Sequence, residues 1–222
     1  MSRLITTSIL DAIDWCKTAP DSINQATGNT WRQDAYLQIK ATLGRAPWNP
    51  TPAIVRGIDV ENSIYAILRD GKEESVTCSD SFRKVLMECK GGQFQKKTKT
   101  IIELDGVEYC LYGKIDVFFP TKIVDLKTTG KYSGKEKYLG TSQHHLYCFG
   151  ENIPEFEYII IEFVDEGSKN IRGVHHVSYV SPSLEFEENY MKSKIRELLE
   201  FLEKYDEPGD LKELYNTTYC RH

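Results

Sequence analysis

The sequence lacks the features of a secreted or membrane-bound protein. No apolar run approaches the roughly 20 residues that a membrane-spanning helix needs, and residues 1–20 lack the basic start and uninterrupted apolar core of a signal peptide. None of the six cysteines forms a CxxC pair, and several lie in apolar runs typical of strands or helices. We therefore expect a cytoplasmic protein whose thiols are reduced and mostly buried.

Positive charge is in the minority. The chain has 28 lysine and arginine residues against 33 aspartate and glutamate residues, a formal net charge of −5. This balance argues against nucleic-acid binding through bulk positive charge, so a polyanion would have to meet a local patch. Two lysine-rich stretches are candidates, although such a run is usually only a solvated surface. They are CKGGQFQKKTKT, with Lys90, Lys96, Lys97 and Lys99, and KTTGKYSGKEK, with Lys127, Lys131, Lys135 and Lys137.

The composition favours a single domain. Of the 222 residues, 40% are hydrophobic, and the chain has no long low-complexity tract, so one large core is expected rather than two. We divide it into an N-terminal helical part at 1–54, a core at 55–182, and a C-terminal helix and tail at 183–222.

Hydrophobic periodicity predicts an alternation of helices and strands. The predicted order is helices, three antiparallel strands, a short helix, two strands and a long amphipathic helix. Asp105-Gly106 is a hairpin signal between the first two strands, and Pro120-Thr121 marks the next turn. Helices are predicted from Thr7 or Ser8 as the N-cap, over 31–44, over 55–70, near 140–150 and from Ser183; strands over 100–104, 107–119, 122–128, 156–164 and 172–181; and a proline-rich loop over 45–53.

Two aspartates and a lysine interrupt the apolar strands of the second hairpin, GKIDVFFPTKIVDLKTTG. Side chains at i and i+2 of a strand face the same side, so Asp125 and Lys127 project together. Asp116, on the preceding strand, is expected beside Asp125 across the turn. Two carboxylates at this distance repel each other, and a divalent cation would resolve that repulsion. Oxygen ligands favour Mg²⁺ or Mn²⁺, with room left for a phosphate.

Other polar residues could support this trio. Gln143 and Tyr147, at i and i+4, lie on one helix face, and Glu61 lies at the edge of an apolar helix face. Each also has a purely structural interpretation: Gln143 and Tyr147 as polar residues of an amphipathic helix, and Glu61 as a first-turn acid that interacts favourably with the helix dipole. The histidine pairs 144–145 and 175–176 are interpreted as structural, because adjacent side chains would largely diverge.

Together, Gly113-x-x-Asp116, Asp125-x-Lys127 and Gln143-x-x-x-Tyr147 resemble the PD-(D/E)XK nuclease superfamily, in particular its RecB-like and lambda-exonuclease-like branch. The resemblance spans 55 to about 164. It implies an α/β, restriction-endonuclease-like core: a central mixed sheet of about five strands flanked by helices. Ile115 departs from the family's proline before the first aspartate.

The resemblance also implies roles for individual residues. At the position of Glu61, RecB-like members usually carry histidine and lambda-exonuclease-like members glutamate. Cys16 stands at the first ligand position of the iron–sulfur members, but only Cys220 lies near the C-terminus, so no cluster is expected. The implied metal ligands are Glu61, Asp116, Asp125 and the Leu126 main-chain carbonyl, and the implied catalytic set adds Lys127, Gln143 and Tyr147.

The implied function is a Mg²⁺- or Mn²⁺-dependent DNA nuclease, an exonuclease at duplex ends in recombination or repair, in a bacterial or phage-infected cell. The implied partners are double-stranded DNA with free ends, further copies of the chain in a homo-oligomer, and a single-strand-annealing protein. Two alternatives remain: an endonuclease of the same fold, and a nuclease-fold protein that binds nucleic acid without cutting it.

Overall fold

The computed structural model describes residues 3–47, 50–72, 78–165, 170–204 and 210–220. Within these ranges a mixed six-stranded sheet is flanked by eight helices, which confirms the expected fold class. None of the described helices is long and apolar enough to cross a membrane. The elements are β1 (Arg3–Thr6), α1 (Thr7–Thr18), α2 (Trp31–Leu43), α3 (Pro52–Arg69), α4 (Asp80–Cys89), β2 (Gln93–Leu104), β3 (Val107–Phe118), β4 (Lys122–Thr129), α5 (Glu136–Leu139), α6 (Gln143–Glu151), β5 (Glu155–Phe163), β6 (Ile171–Val180), α7 (Leu184–Lys204) and α8 (Asp210–Tyr219).

The sheet has the order β1-β3-β4-β5-β6, with β2 paired to the other edge of β3. The β2–β3 hairpin turns at Asp105 and Gly106, whose φ angles of 54° and 77° suit a turn with both central residues in the left-handed region. The β3–β4 turn is closed by a 2.9 Å hydrogen bond from the Phe119 amide to the Lys122 carbonyl. Both predicted turns are therefore confirmed.

The strand β4 is bonded mainly to β5 and only briefly to β3. It pairs in parallel with β5 along all of its length, from Lys122 to Thr129. With β3 it forms only two antiparallel pairs, Val117 with Val124 and Phe118 with Ile123. Beyond Val117 the two strands separate, and β1 instead runs parallel to β3 from Tyr109 to Tyr112.

Two apolar clusters cover the two faces of the sheet. The larger cluster joins β1, α1, α2, α6, α7 and α8 to the sheet, and the smaller one lies beneath α3 and α4. In β4, Ile123 belongs to the larger cluster and Leu126 to the smaller one. Burial of both faces explains why this strand reads as an almost continuous apolar run.

Several boundaries differ from the expectations. Thr6 rather than Thr7 or Ser8 occupies the N-cap position of the first helix, without a side-chain capping hydrogen bond. The helix α3 begins three residues early, at Pro52, because proline fits the first helical turn. The elements β1, α4, α5 and α8 had not been predicted. Residues 48 and 49 of the proline-rich loop lie outside the described residues.

The cysteine prediction is confirmed. All six thiols are free. Four of them are buried, and two, Cys78 and Cys220, are half-buried.

Candidate active site

The predicted trio meets where β3 and β4 separate. Continuing the register of Val117 and Val124 by one rung places Asp116 opposite Asp125, but no backbone pair forms there. Instead, the Leu126 amide donates a 2.9 Å hydrogen bond to Asp116 Oδ2. The carboxylate thus replaces the missing carbonyl acceptor, and the two acids are held at the mouth of a split in the sheet.

Asp125 is the most enclosed of these acids, with 1% of its surface exposed. Its Oδ1 accepts a short hydrogen bond from Gln143 Nε2. Its Oδ2 lies 2.7 Å from Lys127 Nζ in an ion pair, yet this buried oxygen has no hydrogen bond of standard geometry. One oxygen is therefore firmly held while the other keeps an unused lone pair.

The acids and the lysine control one another's protonation. Burial, followed by the charges of Asp125 and Glu61, raises the pKa of Asp116 well above its ordinary value. Burial alone would lower the pKa of Lys127, but the Asp125 carboxylate outweighs it and raises the pKa above the usual lysine value. Lys127 is therefore an ammonium group at neutral pH, whereas Asp116 takes up a proton at a higher pH than an ordinary aspartate does.

Glu61 reaches the same region from α3. Its helix starts with Thr51, whose side chain accepts a hydrogen bond from the Ile54 amide, and it lies against β4, where Gly57 leaves room for Thr128. Glu61 is half-buried, and burial and then Asp125 raise the pKa of its carboxyl group.

Tyr147 is fixed to β3 by the backbone of Lys114. The tyrosine hydroxyl donates to the Lys114 carbonyl at 2.9 Å and accepts from the Lys114 amide at 3.2 Å. The ring occupies the space above Gly113, where a Cβ atom would lie only 2.2 Å from Tyr147 Cε1. The glycine of the motif is therefore explained by packing: it lets α6 approach the strand that carries Asp116.

The start of α6, which presents Gln143, is tied to α1. The Ser142 amide donates a 3.0 Å hydrogen bond to Asp11 Oδ1. Two residues later, His144 Nδ1 lies 3.1 Å from the Tyr158 hydroxyl, which also contacts Thr141 Oγ1 at 3.1 Å. These contacts restrict the first turn of α6 and with it the amide that holds Asp125.

The histidine pairs behave differently from each other. His144 and His145 do not diverge as expected: their ring centroids are 4.1 Å apart. His145 contacts the buried Glu187 at 2.6 Å. In the second pair, His175 contacts Glu162 and His176 contacts Glu157, so those rings do part.

Three residues near the site were missed by the sequence analysis. Lys114 lies two positions before Asp116 on β3. Tyr65, one turn after Glu61, has a buried hydroxyl without a hydrogen bond of standard geometry, and burial and then Asp116 raise its pKa. Gln95 faces Asp116 in register but has a φ of 56° and interrupts the ladder. Only Tyr65 had a usable signal, its i+4 spacing from Glu61.

The donor set suits a hard divalent cation. Asp125 Oδ2 is buried with unused bonding capacity, and burial, followed by the charges of Asp125 and Glu61, raises the pKa of Asp116. Within the described ranges, no three side chains of histidine, cysteine, aspartate or glutamate are gathered as a ready metal cluster. Two carboxylates with water completing the shell is the arrangement that Mg²⁺ commonly takes.

Comparison with known proteins shows the fold. No protein-family model matches the chain, and no curated protein matches it in sequence. The solved structure of SSO0001 is similar with a TM-score of 0.53 and 11% identity, over 90% of this chain and 77% of that one.

Two other structures superpose less well. The phage-related exonuclease from Haemophilus somnus 129PT has a TM-score of 0.49 and 12% identity, over 98% of this chain and 95% of that one. The alkaline exonuclease from Laribacter hongkongensis has a TM-score of 0.46 and 11% identity, with coverage of 96% and 92%. At these identities the likeness concerns the fold alone.

Proposed function

We propose that this chain is a divalent-metal-dependent deoxyribonuclease that acts at the ends of duplex DNA. The observation that carries the proposal is the meeting of Asp116, Asp125 and Lys127 at the split between β3 and β4. If Lys127 served only in a structural ion pair, a single carboxylate, that of Asp125, would be enough to balance its charge. Here a second, half-buried acid, Asp116, faces the first, and burial, followed by the charge of Asp125, raises the pKa of that second acid.

Asp116, Asp125 and the Leu126 carbonyl, with Glu61 alongside, are the groups that would hold Mg²⁺ or Mn²⁺. The bound ion would supply Lewis-acid polarisation of a phosphodiester and a more acidic water. The metal set of Glu61, Asp116, Asp125 and Leu126 stays a proposal.

Lys127 has the clearest chemical role. Because the Asp125 carboxylate keeps it protonated, it acts as a positive charge and hydrogen-bond donor rather than as a base. Hydrolysis adds a water oxygen to phosphorus and breaks a phosphorus–oxygen bond, and negative charge builds on the phosphoryl oxygens. An ammonium group placed there stabilises that charge more in the transition state than in the ground state.

Gln143 and Tyr147 position this apparatus. The Gln143 amide fixes one Asp125 oxygen, so the other stays turned towards Lys127. Tyr147, bound to the Lys114 backbone on both sides of its hydroxyl, keeps α6 against β3. Neither residue needs to touch the reacting phosphate in order to support cleavage.

The preference for ends follows from the resemblance at Glu61 and is the finer part of the proposal. We expect progressive loss of nucleotides from linear duplex and little nicking of closed circles. The experiment compares end-labelled linear duplex, closed circular duplex and single strands with Mg²⁺, with Ca²⁺ and with excess chelator. A Lys127→Ala preparation purified in parallel serves as the control for contaminating nucleases.

The outcomes separate the alternatives. Rapid cleavage of closed circles would identify an endonuclease with the same site. Metal-independent cleavage, or binding without cleavage of any substrate, would contradict the proposal. A homo-oligomer and a single-strand-annealing partner remain proposals as well, and light scattering of the purified chain tests the first of them.

A further inference from the structure

One face of the β2–β3 hairpin carries exposed lysines beside the site. Lys97 pairs with Lys114 across the strands, and Lys99 pairs with Tyr112 two residue pairs further along the ladder. The three lysines are exposed, whereas β3 residues of the opposite face, such as Gly113 and Ile115, are buried. The sheet is therefore open to solvent on the lysine side along these two rungs.

These lysine charges are not neutralised within the described residues. No ion pair or side-chain hydrogen bond involves Lys97, Lys99 or Lys114 there, while Lys96, on the opposite face, pairs with Glu151. Like charges directly opposite each other in a sheet are destabilising, so the Lys97–Lys114 rung opposes folding. A bound polyanion would remove that cost.

The lysine face leads directly to the candidate active site. Lys114 precedes Asp116 by two positions on β3, and the Lys114 charge partly offsets burial and Asp125, which raise the pKa of Glu61. In the other direction, Glu103 faces Glu108 four residue pairs beyond Lys99. On this face of the hairpin, positive charge is therefore confined to the part next to the site, and the acidic pair Glu103 and Glu108 marks its far limit.

We propose that Lys97, Lys99 and Lys114 form a phosphate track that holds one nucleic-acid strand next to the bond to be cut. The inference rests on the proposed function, since it assigns the substrate strand's path at that same site. Residues two apart on a strand are separated by roughly 7 Å, so Lys97 and Lys99 can each meet a different phosphate. The track fixes the position of the backbone and reads no base.

The test measures binding of fluorescent oligonucleotides in Ca²⁺ as a function of salt. For single strands, the slope of log affinity against log salt is expected to fall by about 0.7 for each phosphate contact removed, hence by about 1.4 in Lys97→Ala/Lys99→Ala. In Mg²⁺ the same variant should have a KM several-fold higher, with a smaller change in kcat. Lys204→Ala/Lys212→Ala removes equal charge from exposed lysines on α7 and α8 and should change neither quantity.

A second variant distinguishes a loss of binding from a loss of folding. Lys97→Glu places an opposite charge against Lys114, so it should preserve or raise the free energy of unfolding while weakening binding more than Lys97→Ala does. Loss of stability and binding together would indicate a structural role and overturn the track.

The track and the proposed function fail separately. An unchanged salt slope and KM in the lysine variants, with cleavage still abolished by Lys127→Ala, would refute the track and keep the nuclease. Salt-sensitive binding that falls in the lysine variants, without cleavage by the unaltered chain, would keep the track and refute the nuclease.

Discussion

Gly113→Ala should destabilise the protein through a single contact. The added Cβ would lie 2.2 Å from Tyr147 Cε1 and 3.0 Å from both Cζ and the hydroxyl oxygen. The tyrosine is 3% exposed and bound to the Lys114 backbone by two hydrogen bonds, so it cannot rotate into solvent without losing both. The clash is therefore expected to be relieved by moving α6 or by expelling the ring.

The expected cost can be assembled from its parts. Overpacking of a core typically costs about 1–3 kcal/mol, and loss of two hydrogen bonds adds about 2 kcal/mol. Replacing glycine in a strand returns roughly 0.5–1 kcal/mol. The sum predicts a loss of about 2–4.5 kcal/mol in the free energy of unfolding, measured by urea denaturation.

The assay includes a double-mutant cycle and a control. In a Tyr147→Ala background the ring is absent, so Gly113→Ala should cost nothing and should return the roughly 0.5–1 kcal/mol expected for replacing a strand glycine. Gly173→Ala, where the nearest atom to the new Cβ is 3.5 Å away, should be tolerated in either background. An equal cost of Gly113→Ala with and without the tyrosine ring would refute the reasoning.

Three further predictions concern the site and its surroundings. Lys127→Ala should reduce the rate of cleavage by about 10²–10³-fold or more while DNA binding in Ca²⁺ is largely retained, whereas Asp116→Asn should also weaken Mn²⁺ binding in a calorimetric titration. Cleavage should require Mg²⁺ or Mn²⁺, with Ca²⁺ supporting binding better than cleavage, and should stop in excess chelator. Burial and then the charge of His145 lower the pKa of His144 to about 3, so stability is full above the ordinary value near 6.5 and falls as the pH drops from there towards 3. At pH 5 the loss due to this residue is about 2 kcal/mol, and His144→Gln should remove that part of the pH dependence of unfolding.

Each of these three predictions has an outcome that would contradict it. Near wild-type cleavage by Lys127→Ala would remove the lysine from the chemistry, and full activity in chelator would remove the metal. An unfolding profile with the same acid slope in His144→Gln would show that other groups, such as Glu187 with its lowered pKa, account for acid sensitivity.

The sequence predicted most of the sheet because its strands alternate or run continuously apolar between clear turn signals. It missed β1, which has only four residues and passes directly into α1. The predicted start of β2 was also too late, because the strand begins at Gln93 and includes the lysine-rich stretch. This stretch is stabilised as a strand by tertiary contacts, such as the ion pair between Lys96 and Glu151. Such partners, distant in sequence, leave no local pattern.

At the site, the spacing predicted the facing positions of Asp116 and Asp125, since period two and a tight turn fix the register. The separation of the strands could not be predicted, because it depends on β5 holding β4 along its length. Nor could the positive φ of Gln95, because strain at one residue is imposed by the surrounding fold.

The hydrogen bond from the Leu126 amide to Asp116 makes that amide a natural probe of the site. Its protection against hydrogen exchange depends on a side-chain carboxylate rather than on a backbone ladder. Any event that draws the Asp116 oxygens elsewhere, such as protonation or capture of a cation, changes the acceptor while the neighbouring β4–β5 ladder stays intact. Exchange at this one amide therefore reports the occupancy of the split separately from the stability of the sheet.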